Sequence, residues 1–342
     1  MPLGLTMVIG LIALVATYIV WSGWTFQRWF DHPAAPGKRV RVGDAEWYVR
    51  VQGTGGPVVV IETGLSALSA EWWTIQDELA QNSTVITYDR AGYGWSDASP
   101  HPRTSGQIAA ELRELLDALG VPGPYVLVGH SQGGLYIQHF ARAYPDQVAG
   151  VVLLDPLSPE DNRWKAELPP EVYAGSGVDK SPTLKTGSIA ARLGLLRLLE
   201  RLIKQSPPFY YMRNPSPEVV NTIWQHMQRP SLYSTALEEY RLAHDPANTT
   251  ALYAAGNFPA VPLKLLYHDP TVIIAETMQY GGLSEAQAAQ VESFWEALLR
   301  EMLVLSPQSE WIPCEGASHF IHLTRPDIVV AQVKAVMEAK TH

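Results

Sequence analysis

The hexapeptide GHSQGG at residues 129–134 decides how this sequence folds. It places Ser131 between Gly129 and Gly133 in a G-x-S-x-G pattern. The preceding PYVLV is a short apolar run typical of a strand, and the following LYIQHFARAYP predicts a helix that ends at a proline. A serine on such a strand–turn–helix junction is presented at the end of its strand as a nucleophile. A glycine-rich loop that carries a serine by chance is the alternative interpretation.

Apolar runs on both sides of this junction predict further strands. RVRVGDAEWYVRVQG alternates polar and apolar residues around a Gly-Asp turn and predicts a hairpin. Buried strands are predicted for PVVVIETG, STVITYDRAG, QVAGVVLLD, VPLKLLYHD and SEWIPCEG, and helices for TSGQIAAELRELLDALG and PDIVVAQVKAVMEAK. Buried strands that alternate with helices indicate an α/β fold with a mostly parallel sheet flanked by helices.

One long interval interrupts this alternation. Residues 156–258 contain many prolines and several helical stretches, but no convincing strand. Such an interval is too long for a loop. We therefore expect a helical cap inserted between two sheet strands, with the core of the fold formed by residues 40–155 and 259–342.

The N-terminal segment is apolar and uncharged. LGLTMVIGLIALVATYIVWSGW is about 22 residues long, enough to cross ~30 Å of hydrocarbon, and aromatic residues follow it as at a membrane interface. The pattern predicts a single-pass transmembrane anchor at residues 1–27 and a linker at residues 28–39. A buried soluble helix is the alternative. The positive-inside tendency then places the remaining domain in the cytoplasm, because the nearby cations all follow the apolar run: Arg28, Lys38, Arg39 and Arg41.

The composition of the 342-residue chain excludes several classes of protein. It is 46% hydrophobic and 17% charged, as expected for a globular protein rather than a disordered one. The net charge of -9 argues against nucleic acid as a partner, because binding to phosphate requires a basic face. The single cysteine excludes an intrachain disulfide and a cysteine-based metal site.

A serine nucleophile needs a general base, an acid that orients the base, and donors for the oxyanion. The segment GASHFIHLTRPD at residues 316–327 offers the base. His319 lies between the last predicted strand and the last predicted helix, so we expect it at the carboxyl edge of the sheet beside Ser131. His322 is its rival, and a surface histidine is the non-catalytic alternative. His130 precedes the serine, and we expect its side chain to point away from the nucleophile.

These motifs together resemble the α/β-hydrolase fold family. VVIETGL resembles the oxyanion strand and turn of the family, YDRAGYGWSD its next strand and loop, GHSQGG its nucleophile elbow, and SHFIHLTRP its histidine loop. The resemblance covers about residues 40–340 and implies that the backbone N–H groups of Leu65 and Gln132 form the oxyanion hole. Many members have His-Gly before the oxyanion residue, where this chain has Thr63 and Gly64.

Two aspartates compete for the role of the triad acid. The family usually carries the acid shortly after the strand that follows the cap, where this chain has Asp269, although the usual position two residues further is Thr271. Some members use the end of the strand after the elbow helix, where this chain has Asp155, which we prefer. Glu276 is a lesser candidate. Each aspartate precedes a proline, so a turn-forming role is the alternative for both.

The resemblance implies a serine hydrolase that cleaves carboxylic esters through an acyl-enzyme, similar to serine esterases and lipases. It implies a small-molecule ester or acyl substrate and no metal or organic cofactor. The apolar N-terminal run, by contrast, predicts the contact with a membrane. Amidase or peptidase, lactonase and acyltransferase activities stay open, as does a non-catalytic ligand-binding receptor of this fold. Epoxide hydrolases and haloalkane dehalogenases of the family need an aspartate at the position of Ser131.

Overall fold

The computed structural model describes residues 36–213 and 215–339, together with residues 6–7, 10, 13–21 and 23 near the N-terminus. Within these residues the strands form one eight-stranded sheet. The strands are β1 (Lys38–Val42), β2 (Ala45–Gln52), β3 (Val58–Glu62), β4 (Thr84–Tyr88), β5 (Tyr125–His130), β6 (Val148–Leu154), β7 (Leu263–Tyr267) and β8 (Ser309–Pro313). They include every strand that the apolar runs predicted.

The sheet is mostly parallel. Its strand order is β1-β2-β4-β3-β5-β6-β7-β8, and only the β1–β2 and β2–β4 pairs are antiparallel. His130 pairs with Leu154, and Leu154 pairs with Leu266. Because this register is nearly flush, β5, β6 and β7 end at the same edge of the sheet.

Helices flank the sheet and fill the interval between β6 and β7. They are α1 (Trp73–Leu79), α2 (Ser105–Leu119), α3 (Gln132–Ala143), α4 (Trp164–Glu167), α5 (Pro170–Gly175), α6 (Ser181–Arg192), α7 (Leu195–Leu198), α8 (Glu200–Ile203), α9 (Pro217–Met227), α10 (Pro230–Ala243), α11 (Pro246–Ala254), α12 (Pro270–Gly281), α13 (Glu285–Glu301), α14 (Ile321–Thr324) and α15 (Pro326–Ala339). The predicted helix around α2 is confirmed together with its caps, since Thr104 accepts a hydrogen bond from the Gln107 N–H and Gly120 is left-handed.

The core lies on both faces of the sheet. Leu127 and Val151 pack on the face covered by α2, α3 and α13, whereas Val126 and Val152 pack on the face covered by α1 and α15. Successive residues of a strand point to opposite faces, so a strand buried on both faces is a continuous apolar run. The predicted α/β class is therefore confirmed, and so is the mostly parallel sheet with flanking helices.

The insertion between β6 and β7 is helical. Residues 155–262 contain α4 to α11 and, apart from residue 214, which lies outside the described residues, they form no strand. The insertion starts and ends close to the predicted limits of 156 and 258. The division of the chain into a separate core and cap stays a prediction, and the predicted linker at residues 28–39 lies mostly outside the described residues.

The structure corrects the prediction for the N-terminus. Among the residues that the structure describes, no helix is long and apolar enough to cross a membrane. The predicted anchor at residues 1–27, with its membrane contact and its single-pass location, is therefore wrong, and the predicted cytoplasmic placement loses the anchor on which it depended. The other residues of that stretch lie outside the described part.

A buried ion network joins the insertion to the core. The guanidinium of Arg90, which follows β4, bonds Glu62 at the end of β3 at 2.6 Å and Glu239 of α10 at 3.0 Å. All three side chains are at most 1% exposed. The cation therefore pairs with two carboxylates from different layers of the fold, and neither carboxylate can reach water in its place.

We expect Arg90→Met to destabilise the protein by about 3–5 kcal/mol, because it leaves the buried Glu62 without its cation and Glu239 with only Arg103, at 3.8 Å. Arg113→Met is the matched control, since Arg113 pairs with Asp117 on a partly exposed helix face. It should cost less than about 1 kcal/mol. Urea denaturation of both variants measures the difference, and equal losses would show that the network contributes no more than a surface pair.

Candidate active site

Ser131 lies in a strained turn between β5 and α3. Its backbone has φ 52° and ψ -123°, which side-chain-bearing residues rarely adopt. The Ser131 N–H donates to the Leu154 carbonyl at 3.0 Å, and its own carbonyl accepts from the Gly134 N–H at 2.9 Å and the Leu157 N–H at 2.8 Å. Three hydrogen bonds from neighbouring segments thus hold the strained residue in place.

Close packing explains why glycine flanks the serine. A Cβ on Gly129 would lie 2.8 Å from the Gly134 Cα, and a Cβ on Gly133 would lie 2.6 Å from the Glu62 carbonyl oxygen. Real Cβ atoms do not approach backbone this closely. A Cβ on Gly64 would lie 3.4 Å from the Ser131 Cβ. The turn at Gly64 therefore packs directly against the serine.

His319 lies between β8 and α14 and reaches Ser131. Its Nε2 is 3.0 Å from the Ser131 Oγ, and its Nδ1 is 2.5 Å from the Asp155 Oδ2. A carboxylate can only accept, so Nδ1 carries a proton and Nε2 is free to accept the serine proton. His130 Nε2 donates to the His319 carbonyl at 3.0 Å, and the imidazole of His130 therefore holds the backbone of its neighbour rather than the nucleophile.

Asp155 follows β6 and is fully buried. Its Oδ1 accepts from the Trp295 indole N–H at 2.8 Å, and its Oδ2 accepts from His268 Nδ1 at 2.7 Å as well as from His319. Burial alone would raise the pKa of Asp155, but the charge of His268 and the hydrogen bonds from both histidines lower this pKa below its usual value. Asp155 is therefore a carboxylate at neutral pH.

The structure does not bring the other acid candidates to His319. Asp269 caps α12 by accepting from the Thr271 N–H at 2.9 Å, and its second oxygen accepts from the Gly316 N–H at 2.8 Å. The Gly316 bond is the largest cause of its lowered pKa. Glu276 lies on α12, where its carboxylate accepts a 2.5 Å hydrogen bond from the Tyr211 hydroxyl.

The rival base His322 points elsewhere. Its ring stacks on Trp72 at 4.3 Å, and its Nε2 lies 3.4 Å from the Glu71 carboxylate. Burial lowers the pKa of His322 to about 3 and raises the pKa of Glu71 to about 7. His322 therefore belongs to a buried pair behind the site and makes no contact that would activate Ser131.

The predicted oxyanion residues border the serine. Leu65 and Gln132 both line the cavity that contains Ser131, and Gln132 is the first residue of α3, whose N-terminal N–H groups have no helical acceptor. Arg90 bonds the carbonyls of Thr63 at 2.6 Å and Gly64 at 2.8 Å. The buried guanidinium that joins the insertion to the core thus also fixes the turn that carries Leu65.

A cavity of about 580 Å³ opens over Ser131. The core contributes the serine, His319 and the turn around Leu65, while the insertion contributes Trp164 and Tyr240. The insertion also brings the Asp161–His244 pair, with 2.7 Å between carboxylate and imidazole. Among the residues that the structure describes, no group of three or more His, Cys, Asp or Glu side chains is arranged to hold a metal ion.

Two residues of the site were missed in the sequence. His268 directly follows β7, and its Nε2 lies 2.8 Å from the carboxylate of Glu292 on α13. The available signal was the pattern of α13, where Glu292 occupies the same face as the buried residues Ala288, Val291, Leu298 and Leu299. A charged residue on an apolar helix face needs a buried partner.

Comparisons with known proteins agree with this architecture. The family model of the alpha/beta hydrolase fold matches residues 57–275. The AB hydrolase superfamily protein of Gibberella zeae is 24% identical over 82% of this chain and 86% of its own length. The protein YqjL of Bacillus subtilis is 27% identical over 81% of this chain and 82% of its own length.

Solved structures share the fold at low identity. A Pseudomonas aeruginosa protein, provisionally described as an epoxide hydrolase, matches with a TM-score of 0.67 and 19% identity over 90% of this chain and 97% of its own. A thermophilic esterase from Thermogutta terrifontis matches with a TM-score of 0.59 and 21% identity over 90% of this chain and 99% of its own. At such identities the likeness establishes the fold and not the substrate.

The buried Glu71 makes stability depend on pH. Its pKa of about 7 in the folded protein exceeds the ~4.3 of an unfolded glutamate, so the folded state binds more protons in this window. Stability from this group is complete below about pH 4 and is lost as pH rises through about 7, by on the order of 3 kcal/mol. We expect Glu71→Gln, which mimics the protonated form, to flatten the decline in unfolding free energy between pH 5 and pH 8.

Urea denaturation at several pH values measures this slope. Glu78→Gln is the control, because Glu78 lies half-exposed at the end of the next helix and reaches only Lys334, at 3.5 Å. It should leave the slope unchanged. If the unfolding free energy of Glu71→Gln falls with pH as steeply as that of the wild type, the raised pKa assigned to Glu71 is contradicted.

Proposed function

Because this chain belongs to the α/β-hydrolase fold family, we propose that it is a serine hydrolase that cleaves carboxylic esters through an acyl-enzyme. The observation that carries the proposal is the hydrogen-bonded line from Ser131 Oγ to His319 Nε2 at 3.0 Å and from His319 Nδ1 to Asp155 Oδ2 at 2.5 Å. A serine within reach of an imidazole that a buried carboxylate orients is the arrangement that activates a hydroxyl.

The proposed reaction has two halves. Ser131 Oγ attacks the ester carbonyl carbon while His319 Nε2 takes the serine proton, and the carbonyl oxygen becomes an oxyanion. The N–H groups of Leu65 and Gln132 donate to this oxyanion, each contributing about 3 kcal/mol at the transition state. His319 then gives its proton to the departing alkoxide. In the second half, water attacks the carbonyl carbon of the acyl-enzyme while His319 takes its proton. His319 then returns the proton to Ser131 Oγ, and the carboxylic acid is released.

Asp155 is the acid in this proposal. It keeps the Nδ1 proton on His319 and stabilises the imidazolium that forms when the serine proton is transferred. The carboxylate oxygens of the competing candidate, Asp269, accept hydrogen bonds elsewhere. One accepts from the N–H at the start of α12, and the other accepts from the Gly316 N–H. The position at the end of β6 supports Asp155, since this strand neighbours the strand that ends at the nucleophile.

The cavity favours a small organic ester as the substrate. About 580 Å³ accommodates a drug-sized molecule, and the aromatic side chains that line it suit an apolar acyl or alcohol group. We assign the helical insertion the role of a cap that shapes this cavity. Because residue 131 is a serine, this chain differs from those members of the fold whose nucleophile is an aspartate.

Fluorophosphonate labelling and hydrolysis of short-chain p-nitrophenyl esters test the proposal. Ser131→Ala should abolish both, because it removes the nucleophile. Asp155→Asn should lower kcat/KM by about 10³–10⁴-fold, because the amide stabilises the wrong tautomer of His319. Asp269→Asn is the matched control and should stay within about tenfold of the wild type.

The outcomes separate the alternatives. Labelling without ester turnover, but with turnover of amides or lactones, would move the reaction to those substrates. Acyl transfer to an alcohol in preference to water would indicate an acyltransferase. A folded wild-type protein that neither labels nor turns over any acyl substrate would sink the proposal and favour a ligand-binding receptor. Loss of activity in Asp269→Asn but not in Asp155→Asn would overturn the choice of acid.

A further inference from the structure

A second hydrogen-bonded line continues behind Asp155. His268 Nδ1 lies 2.7 Å from the Asp155 Oδ2, and His268 Nε2 lies 2.8 Å from the Glu292 Oε1. The Tyr267 hydroxyl donates to the same oxygen of Glu292. His268 is 2% exposed and Glu292 is 4% exposed, so water does not substitute for either partner. Ser131, His319, Asp155, His268 and Glu292 thus form one continuous chain of contacts.

The partners of His268 fix its charge. Each ring nitrogen faces a carboxylate oxygen, which accepts and does not donate when ionised. Both nitrogens therefore carry protons, and the imidazole is a cation. Burial opposes this charge, but Asp155 and Glu292 outweigh burial and raise the pKa of His268 to about 10.

We propose that His268 is a constant imidazolium, held by Glu292, which limits the basicity of His319 through the Asp155 oxygen that the two histidines share. The proposal rests on the proposed function, because it concerns the base of that reaction. His268 and Glu292 are positioning residues in it, since neither touches the nucleophile. Their contribution is the charge that they place behind the acid.

Coulomb's law gives the direction of the effect. The two imidazoles bond the same Oδ2 at 2.5 Å and 2.7 Å, so their charges lie close together when His319 is protonated. Like charges repel, and the cation on His268 therefore opposes the protonation of His319 relative to a site without it. A base that stays neutral to lower pH keeps the enzyme active over a wider acidic range.

Other ionisable groups surround this line and enter the same balance. On its own strand and the loop after it stand Tyr267 and Asp269, and α13 contributes Glu292 and Glu296. The elbow contributes His130, and the segment after β8 contributes Cys314, His319 and His322. Asp155 and Glu292 bond His268 directly, and Tyr267 bonds Glu292, so we assign the charge balance to that segment.

Three variants test the proposal through the acid limb of kcat/KM. His268→Gln removes a cation and should move the limb up by about 1–2 pH units. Glu292→Gln removes an anion, keeps an acceptor for Tyr267, and should move the limb down by less than His268→Gln moves it up, because Glu292 lies on the far side of His268 from His319. The double variant removes one charge of each sign and should place the limb between those of the two single variants.

Shifts of opposite sign in the two single variants, and an intermediate position of the limb in the double variant, are the expected result. A purely structural role predicts instead that both single variants lower kcat without moving the limb and that the double variant is the worst of the three. That pattern would overturn the proposal.

NMR of the folded protein with ¹³C,¹⁵N-labelled histidine separates this inference from the proposed function, because it needs no substrate. His268 should stay doubly protonated from pH 5 to about pH 9, and the titration of His319 should shift in the variants as the acid limb does. A neutral His268 at pH 7 would overturn the inference even in an active hydrolase. A charged His268 with shifted His319 titration in a protein without acyl turnover would refute the proposed function and leave the electrostatic coupling standing.

Discussion

The carboxylate of Asp155 accepts three hydrogen bonds in a place from which water is excluded. Its donors come from three segments: Trp295 on α13, His268 after β7 and His319 after β8. A buried carboxylate without donors would cost several kcal/mol and would take up a proton instead. The three segments must therefore pack around Asp155 together. This requirement fixes the position of His319, the histidine that faces Ser131.

The topology of the sheet brings these three segments to the same edge. β5, β6, β7 and β8 are neighbours in this order and run parallel. Consecutive crossovers of one hand return the chain to the same edge each time, so the residues after each strand end meet there. Ser131, Asp155 and His268 follow the ends of β5, β6 and β7 directly, and His319 follows β8 after a short loop.

Local patterns in the sequence predicted what depends on local structure. The elbow, the flanking strands and α2 follow from spacing and caps, and Ser131 and His319 follow from their place between such elements. The choice between Asp155 and Asp269 depends on the direction of a turn, because both follow a strand and precede a proline. Asp155 adopts φ 42° and turns back to His319, whereas Asp269 is extended and starts α12. The pairing of His268 with Glu292 crosses 24 residues, and no local spacing encodes it.

The site rests on two clamps of the same kind. In each, one buried cation lies between two buried carboxylates: Arg90 between Glu62 and Glu239, and His268 between Asp155 and Glu292. The Arg90 clamp holds the turn beside Ser131, and the His268 clamp holds Asp155. Arginine does not lose its proton in proteins, whereas histidine can. The cation that holds the turn therefore stays charged at every pH at which the protein folds, while the charge behind Asp155 persists only below the pKa of His268, which Asp155 and Glu292 raise.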